Sequence, residues 1–122
     1  MKPMSTLPVI PSTSLPADVD ERGARLLKLL ADPTRRRIFL MLLLRGETCN
    51  CELAEGLAVA ENLISHHIRQ LREAGLVRER RDPADARWIH YTIDAEAYRA
   101  AWQALAEDLD PVRIATRSPI CC

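Results

Sequence analysis

Residues 47–77, ETCNCELAEGLAVAENLISHHIRQLREAGLV, decide the fold of this 122-residue chain. The spacing of the apolar residues predicts a short helix from about Cys51 to Leu57, a turn, and a longer helix from about Glu61 to Ala74. Gly75 stands where a glycine commonly ends a helix. Two helices joined by so short a turn are typical of a helix-turn-helix, whose second helix enters a groove of DNA.

The second helix of this motif has a buried stripe and a polar face. Leu63, Ile64, Ile68 and Leu71 recur at helical spacing, so we expect them to face the core, with His67 close to the same stripe. The polar face carries side chains that can hydrogen-bond to bases or phosphates. The candidate DNA-binding residues on this helix are Ser65, His66, Arg69 and Gln70.

A β-hairpin is predicted directly after the recognition helix. Residues 76–81 and 87–93 are two candidate strands, the second with alternating side chains, and the DPADA segment between them is typical of a turn. A hairpin in this place is the wing of a winged helix. Arg80, Arg81 and Arg87 lie at its base and tip, where they would contact phosphates or a minor groove, unless they only make the surface soluble.

The remaining chain predicts three more helices, so the fold class is mostly α with a β-hairpin wing. We expect helices from Asp18 or Asp20 to about Ala31, from Pro33 to about Leu44, and from Asp94 to about Leu109. Residues 38–44 are apolar almost all round, which places them at the centre of the core. A winged helix-turn-helix domain over residues 18–110 would then lie between a proline-rich arm, 1–17, and a mobile tail, 111–122.

Composition excludes several classes of protein. The chain has 17 basic and 17 acidic residues, less positive than is usual for a DNA-binding domain, but residues 62–92 hold six arginines against four acids. The longest apolar run, 38–44, is too short to span a bilayer, and the N-terminus lacks a signal-peptide core, so we expect a cytoplasmic protein without membrane partners. No nucleophile and base form a catalytic signature, so we expect neither an enzyme nor an organic cofactor.

The four cysteines form two close pairs, Cys49 with Cys51 and Cys121 with Cys122. In a reducing compartment such pairs are thiols suited to soft cations. Two residues apart on an ideal helix, Cys49 and Cys51 would point about 200° from each other, so shared ligation requires an irregular or distorted helix start. We expect that distortion to be the switch, and we expect the helix N-terminus to lower the thiol pKa.

Several ligands remain open for these thiols. As(III) and Sb(III) favour three thiolates, and Cys121 or Cys122 would have to supply the third. Four thiolates would instead suit Cd(II), Pb(II) or Zn(II). A thiol redox switch, in which oxidation releases DNA, is an alternative of a different class.

Four segments resemble the ArsR/SmtB family of winged-helix metalloregulatory repressors: ADPTRRRIFLMLL, ETCNCELAEGL, ISHHIRQLREAGLV and ARWIHYTID. Cys49, Cys51, Glu52 and Leu53 match the C-x-C-[DE]-L pattern of the arsenic-responsive branch. The resemblance covers about residues 20–110. It implies a homodimer that binds double-stranded operator DNA and releases it when the inducer binds. It also implies that the first and last helices lie at the dimer interface, for which the candidate residues are Leu26, Leu30, Tyr98, Trp102 and Leu105.

The chain departs from this family pattern in two places. Ala60 replaces the serine that often caps the recognition helix, which should cost about 1 kcal/mol and removes a polar DNA contact. The last helix has no histidine, so the Asp/His site of the zinc- and nickel-sensing branches is not expected there.

Overall fold

The computed structural model describes residues 17–115, and within them it confirms a winged helix with five helices. The predicted N-terminal arm, except for residue 17, and the Cys121–Cys122 pair lie outside the described residues. None of the helices that are described is both long and apolar enough to cross a membrane. The elements are α1 (Ala17–Ala31), α2 (Pro33–Arg45), β1 (Thr48–Cys49), α3 (Asn50–Leu57), α4 (Glu61–Glu73), β2 (Val77–Arg81), β3 (Ile89–Ile93) and α5 (Ala95–Leu109), followed by a 3-10 turn at Pro111–Arg113.

Side-chain caps and a glycine explain where the helices begin and end. The Asp32 carboxylate accepts a hydrogen bond from the Arg35 N–H at 2.9 Å, and Pro33 occupies the first turn of α2. The Asp94 carboxylate caps α5 in the same way, through the Ala97 N–H at 3.1 Å. Gly75 follows α4 with φ of 77°, a left-handed conformation that glycine adopts without strain.

The sheet has three strands in the order β1-β3-β2, all antiparallel. The β2–β3 pair is the predicted wing, with Val77 opposite Ile93 and Arg81 opposite Ile89. Strand β1 was not predicted, because two residues are too few to show an alternating pattern. It joins the segment before α3 to the wing.

The core lies where α2, α3 and α4 meet the base of the wing. Its largest buried side chains include Ile38, Phe39, Leu42, Leu53, Ile64, Ile68 and Leu71. The prediction that residues 38–44 are central to the core is wrong in part, because Leu40, Leu43 and Leu44 are exposed. They lie on the outer side of α2, and a helix at the edge of a small bundle buries only one face.

Candidate DNA-binding surface and thiol site

The recognition helix α4 exposes three of its four candidate DNA-binding residues. Ser65, His66 and Arg69 are exposed, while Ile64 and Ile68 on the other side are buried. This division arises because an amphipathic helix presents one stripe to the core and the other to solvent. The polar side of α4 is therefore available to a ligand as large as DNA.

Gln70, the fourth candidate, is half-buried and already has a partner. The Arg35 guanidinium donates a hydrogen bond to the Gln70 side-chain oxygen and another, of 2.6 Å, to the Leu29 carbonyl. Arg36 similarly reaches the Leu30 carbonyl at 2.8 Å. These two arginines close the end of α1, where helix carbonyls lack partners. Arg35 thus anchors α4 to α1 and α2, a role that the sequence did not indicate.

The N-terminus of α4 agrees with the predicted loss of a cap. Ala60 stands at the N-cap position and its side chain makes no capping hydrogen bond. The Asn62 side chain accepts a hydrogen bond from the Leu63 N–H at 3.0 Å. The free N–H groups at this end of the helix remain able to bind an anion such as a phosphate.

His67 lies on the buried side of the recognition helix and is only 7% exposed. Its Nδ1 atom has no hydrogen-bond partner within the described residues. Burial lowers the pKa of His67, which favours the neutral imidazole. His67 therefore serves packing, whereas its neighbour His66 faces outward.

Two of the three candidate wing arginines are held by carboxylates. Arg80 pairs with Glu47 at 2.6 Å, and Arg87 pairs with Asp85 at 2.7 Å. The hydrogen bond from Arg80 lowers the pKa of Glu47, so this carboxylate stays ionised. Arg81 donates to the Ala86 carbonyl at 2.9 Å and forms no ion pair among residues 21–115. A phosphate at the wing would compete with Glu47 and Asp85 for two arginines.

The thiols of Cys49 and Cys51 lie together, with their Sγ atoms 2.9 Å apart. Cys49 is the N-cap of α3, and its sulfur accepts a hydrogen bond from the Glu52 N–H at 3.4 Å. In return the Glu52 carboxylate accepts from the Cys49 N–H at 3.2 Å. This capping box fixes the backbone on which the thiol pair, Cys49 and Cys51, is mounted.

The irregular helix start that shared ligation requires is thus present without any ligand. Cys49 has φ of −84° and ψ of 161°, an extended conformation, so the 200° separation expected on an ideal helix does not apply. Of the two predicted alternatives, the structure has the irregular helix start, so no distortion by a ligand is needed to bring the two sulfurs together. The thiol pair is already arranged for one ion.

The pKa of Cys49 moves in the direction opposite to the prediction. Burial, followed by the hydrogen bond with Cys51, raises the pKa of the Cys49 thiol to about 11. The hydrogen bond from the Glu52 N–H does lower it, as expected at a helix N-terminus, but this effect is smaller than that of burial. Cys49 is 4% exposed, so desolvation of the thiolate outweighs the field of a short helix.

The residues described contain two of the expected ligands and no third. Within this part of the chain no three His, Cys, Asp or Glu side chains form a group that could hold a metal ion. Cys121 and Cys122 lie outside it. Two adjacent sulfurs can supply two of the donors that a soft ion needs. A pyramidal As(III) centre would take its third donor from another group.

Three contacts join the thiol pair to the wing. Cys49 pairs with His90 and Thr48 with Tyr91 across the β1–β3 ladder. The Asn50 side chain accepts from the Ile89 N–H at 3.3 Å. Together with the Glu47–Arg80 ion pair, these bonds place the thiols at the junction of α3 and the wing. The sequence pattern places the thiols on α3 but gives no sign of these wing contacts, because residues about 40 positions apart form no local pattern.

The candidate interface residues divide into core and surface. Leu26 is buried, and Tyr98 packs edge-on against Phe39 with ring centroids 4.9 Å apart. Those two side chains therefore support the surface from beneath. The outer face of α1 and α5 is formed by half-buried or exposed apolar side chains: Leu27, Leu30, Trp102, Leu105 and Leu109.

A recognition helix with one buried and one polar face, followed by a β-hairpin, defines a winged helix-turn-helix. This is a class of DNA-binding domain. A family model described as "Bacterial regulatory protein, arsR family" matches residues 32–79. The "Transcriptional repressor SmtB homolog" of Synechocystis is 41% identical over 92 residues, which span 75% of this chain and 67% of that protein. The chain belongs to the ArsR family, whose members are DNA-binding transcription regulators and not enzymes.

Two further comparisons concern proteins named for arsenic. The "Arsenic resistance transcriptional regulator ArsR1" of Pseudomonas putida is 42% identical over 69 residues, 57% of this chain but only 52% of that relative. The solved structure of a "Possible transcriptional regulator for arsenical resistance" is 33% identical with a TM-score of 0.59, covering 75% of this chain and 96% of that one. These likenesses confirm the family and the winged-helix fold that the sequence predicted.

Proposed function

We propose that this protein is a transcriptional repressor that leaves its operator when trivalent arsenic or antimony binds Cys49 and Cys51. The observation that carries the proposal is the 2.9 Å contact between the two sulfurs at the junction of α3 and the wing. Soft thiolates prefer such ions. The likeness to regulators named for arsenic resistance supports the same ligand class.

The DNA-bound form is a homodimer in this proposal. Two copies related by a two-fold axis would place Ser65, His66 and Arg69 of each α4 in successive major grooves. Arg81, which has no ion pair among residues 21–115, contacts a phosphate with the donors that Ala86 leaves unbonded, and Arg80 and Arg87 do so by exchanging their carboxylate partners. Gln70 reads a base only with the part of its amide that Arg35 leaves unbonded.

The outer face of α1 and α5 supports the dimer. Trp102 is 57% exposed and lies with Leu27 and Leu30 along an almost wholly apolar groove. Contiguous apolar surface of this kind is typical of subunit interfaces. Pairing α1 and α5 with their copies would cover Trp102, Leu105 and Leu109 and set the spacing of the two recognition helices.

Ligand binding changes the position of Cys49 in this mechanism. A trivalent arsenic bonded to both sulfurs at its pyramidal angle would hold them further apart than their present contact of 2.9 Å. Cys49 caps α3 and pairs with His90, so moving its sulfur strains both the support of α4 and the wing. The switch therefore arises from spreading a preformed pair.

The third donor for inorganic As(III) comes from Cys121 or Cys122 in this proposal. These are the two other thiols of the chain. Replacing both with serine would then weaken the response to arsenite while leaving DNA binding intact. A fourth thiolate would favour Cd(II), Pb(II) or Zn(II) in tetrahedral coordination, which is the alternative ligand class.

A redox switch is the second candidate function, and the same sulfur contact favours it. Two thiols 2.9 Å apart need little movement to reach the 2.03–2.05 Å of a disulfide. Such a switch responds to an oxidant and not to a metal, so the two mechanisms can be separated directly.

The test is operator release measured by fluorescence anisotropy on the reduced full chain. Arsenite, Cd(II), Zn(II) and a mild oxidant are titrated onto wild type, Cys49→Ser and Cys51→Ser, with Glu55→Ser as a control on the exposed side of α3. The proposal expects arsenite to release wild type and the control but neither cysteine variant. Release of Cys49→Ser by arsenite would contradict it, and release of wild type by oxidant alone would favour the redox switch.

A further inference from the structure

Gln70 lies at the edge of the polar side of α4 and has one fixed partner. It follows His66 by four residues, so the two side chains lie on the same side of the helix. His66 is exposed and Gln70 is half-buried. Gln70 also lines an open groove that contains three cations: Arg25, Lys28 and Arg35. Its amide is therefore partly accessible beside a candidate DNA-binding residue and is in contact with Arg35.

The hydrogen bond with Arg35 fixes which way round the Gln70 amide lies. The Arg35 Nη1 atom donates to the Gln70 Oε1 atom. A guanidinium carries five donor hydrogens and no acceptor, so its partner in the amide has to be the oxygen. The opposite orientation would bring the amide NH₂ group against the guanidinium, with no acceptor between them. The NH₂ group, with its two donor hydrogens, is consequently the part of the amide that is left for a ligand.

Arg35 is held in place by contacts other than the one with Gln70. Its Nε atom donates to the Leu29 carbonyl at 2.6 Å, and its backbone N–H donates to the Asp32 carboxylate at 2.9 Å. The Arg35 side chain is half-buried. A hydrogen bond from a charged donor is also stronger than one between neutral groups. The orientation of the Gln70 amide is therefore set before DNA binds.

We propose that Arg35 restricts Gln70 to donating hydrogen bonds, so that α4 selects guanine over adenine at the base pair that Gln70 meets. A free glutamine amide suits adenine, because its oxygen accepts from N6 while its nitrogen donates to N7. Guanine presents only acceptors in the major groove, N7 and O6. An amide whose oxygen is already engaged matches guanine and loses half of its contact with adenine.

The second lone pair of the Gln70 oxygen does not restore the adenine contact. The positive charge of Arg35 draws electron density from this oxygen, which makes it a weaker acceptor for a second donor. The same polarisation makes the amide N–H groups stronger donors. The inference rests on the proposed function, in which α4 contacts operator DNA, and it adds the base that one side chain of this helix specifies.

The experiment measures base preference at the position that Gln70 contacts. Wild type and Gln70→Met are titrated at fixed salt onto labelled palindromic operators in which each base pair is substituted in turn. The position whose preference Gln70→Met loses is the one that Gln70 reads. There, wild type should bind the guanine duplex about tenfold more tightly than the adenine duplex, within the range of one bidentate contact. Gln70→Glu, whose second oxygen accepts, should instead favour cytosine or adenine, because these bases present amino groups.

Variants of Arg35 test whether it sets this preference. Arg35→Met keeps the stem and removes the donors, so the ratio of guanine to adenine affinity should fall by about fivefold or more. Arg35→Lys keeps a donor and should retain most of the ratio. Arg36→Met is the matched control with the wild-type ratio, because Arg36 bonds to the Leu30 carbonyl at 2.8 Å and not to Gln70. Both duplexes compete for one protein sample, so partial unfolding of a variant does not alter the ratio.

Three results would overturn the inference. An equal ratio in Arg35→Met and wild type would show that Arg35 does not orient the amide. A wild-type preference for adenine would show that the Gln70 oxygen is available, and equal weakening of every duplex by Gln70→Met would place Gln70 against the DNA backbone. The proposed function would survive each of these if arsenite still released the operator. A guanine preference in a wild type that does not respond to arsenite would refute the proposed function alone.

Discussion

The recognition helix and the thiol pair belong to one motif, yet different kinds of interaction build them. Helix α4 is a continuous amphipathic element whose buried side is set by its own spacing of apolar residues. The thiol pair sits where a two-residue strand becomes a helix, and its geometry depends on β3, about 40 residues away. The DNA-binding surface is therefore encoded by neighbouring residues, whereas the geometry of the proposed sensor depends on contacts between distant parts of the chain.

The first prediction, with the largest effect, concerns how much the buried side of α4 contributes to the stability of the fold. Ile64 is fully buried, whereas its neighbour Leu63 is 43% exposed. Ile64→Ala should lower the free energy of unfolding by about 2–5 kcal/mol, because it leaves a cavity in the core. Leu63→Ala should cost less than about 1 kcal/mol. Urea unfolding followed by circular dichroism measures both, and equal losses would show that α4 is not oriented as described.

A second prediction concerns the exposed side of α4. Arg69→Ala should weaken specific operator binding by about 1–3 kcal/mol, as expected for a side chain that reaches a base. Arg72→Ala is the matched control, because Arg72 is already paired with Glu79 at 3.1 Å. Its effect should be below about 1 kcal/mol. Anisotropy titrations at fixed salt compare the two variants, and a larger loss for Arg72→Ala would contradict the assignment of the base contact to Arg69 rather than Arg72.

A third prediction concerns the turn between α3 and α4. Ala58 adopts φ of 54°, the one non-glycine residue with positive φ among those described. Ala58→Gly should raise the free energy of unfolding by about 1 kcal/mol, because the alanine Cβ lies too close to the following carbonyl oxygen in this conformation. The measurement is the urea midpoint, with Ala95→Gly in the first turn of α5 as a control that should destabilise. Destabilisation by Ala58→Gly would contradict the left-handed turn.

A fourth prediction, with the smallest effect, concerns the ion pair between Glu47, just before β1, and Arg80 of the wing. Glu47→Gln frees Arg80 from its ion pair, so the slope of log K against log salt should steepen by up to about one. Glu55→Gln changes the same charge on an exposed site without an ion pair among residues 21–115 and serves as the control. Affinities measured across a salt series decide between them. Identical slopes would show that Arg80 does not exchange Glu47 for a phosphate.

The parts of the fold that sequence predicted are those governed by local patterns. The start of α2 at Pro33, the start of α5 beside Asp94, the ending glycine Gly75 and the amphipathic α4 were each predicted from a few neighbouring residues. The helix-turn-helix and wing followed from their order along the chain.

The features that sequence missed depend on distant contacts. Strand β1 exists because Thr48 meets Tyr91, and the hold of Arg35 on Gln70 spans two helices. Burial raised the pKa of Cys49 against the helix field, and burial cannot be read from a pattern two residues long. The placement of both sulfurs side by side was likewise hidden, because it required knowing that Cys49 is extended.

The most direct test of the central claim is amide hydrogen exchange across β1 and β3 on arsenite binding. The claim is that spreading the thiol pair loosens the ladder that joins Cys49 to His90 and Thr48 to Tyr91. The account predicts faster exchange at these four residues in wild type, with no change in Cys51→Ser. Operator release by arsenite with exchange in this ladder unaltered would contradict it, since the signal would then reach the DNA by another route.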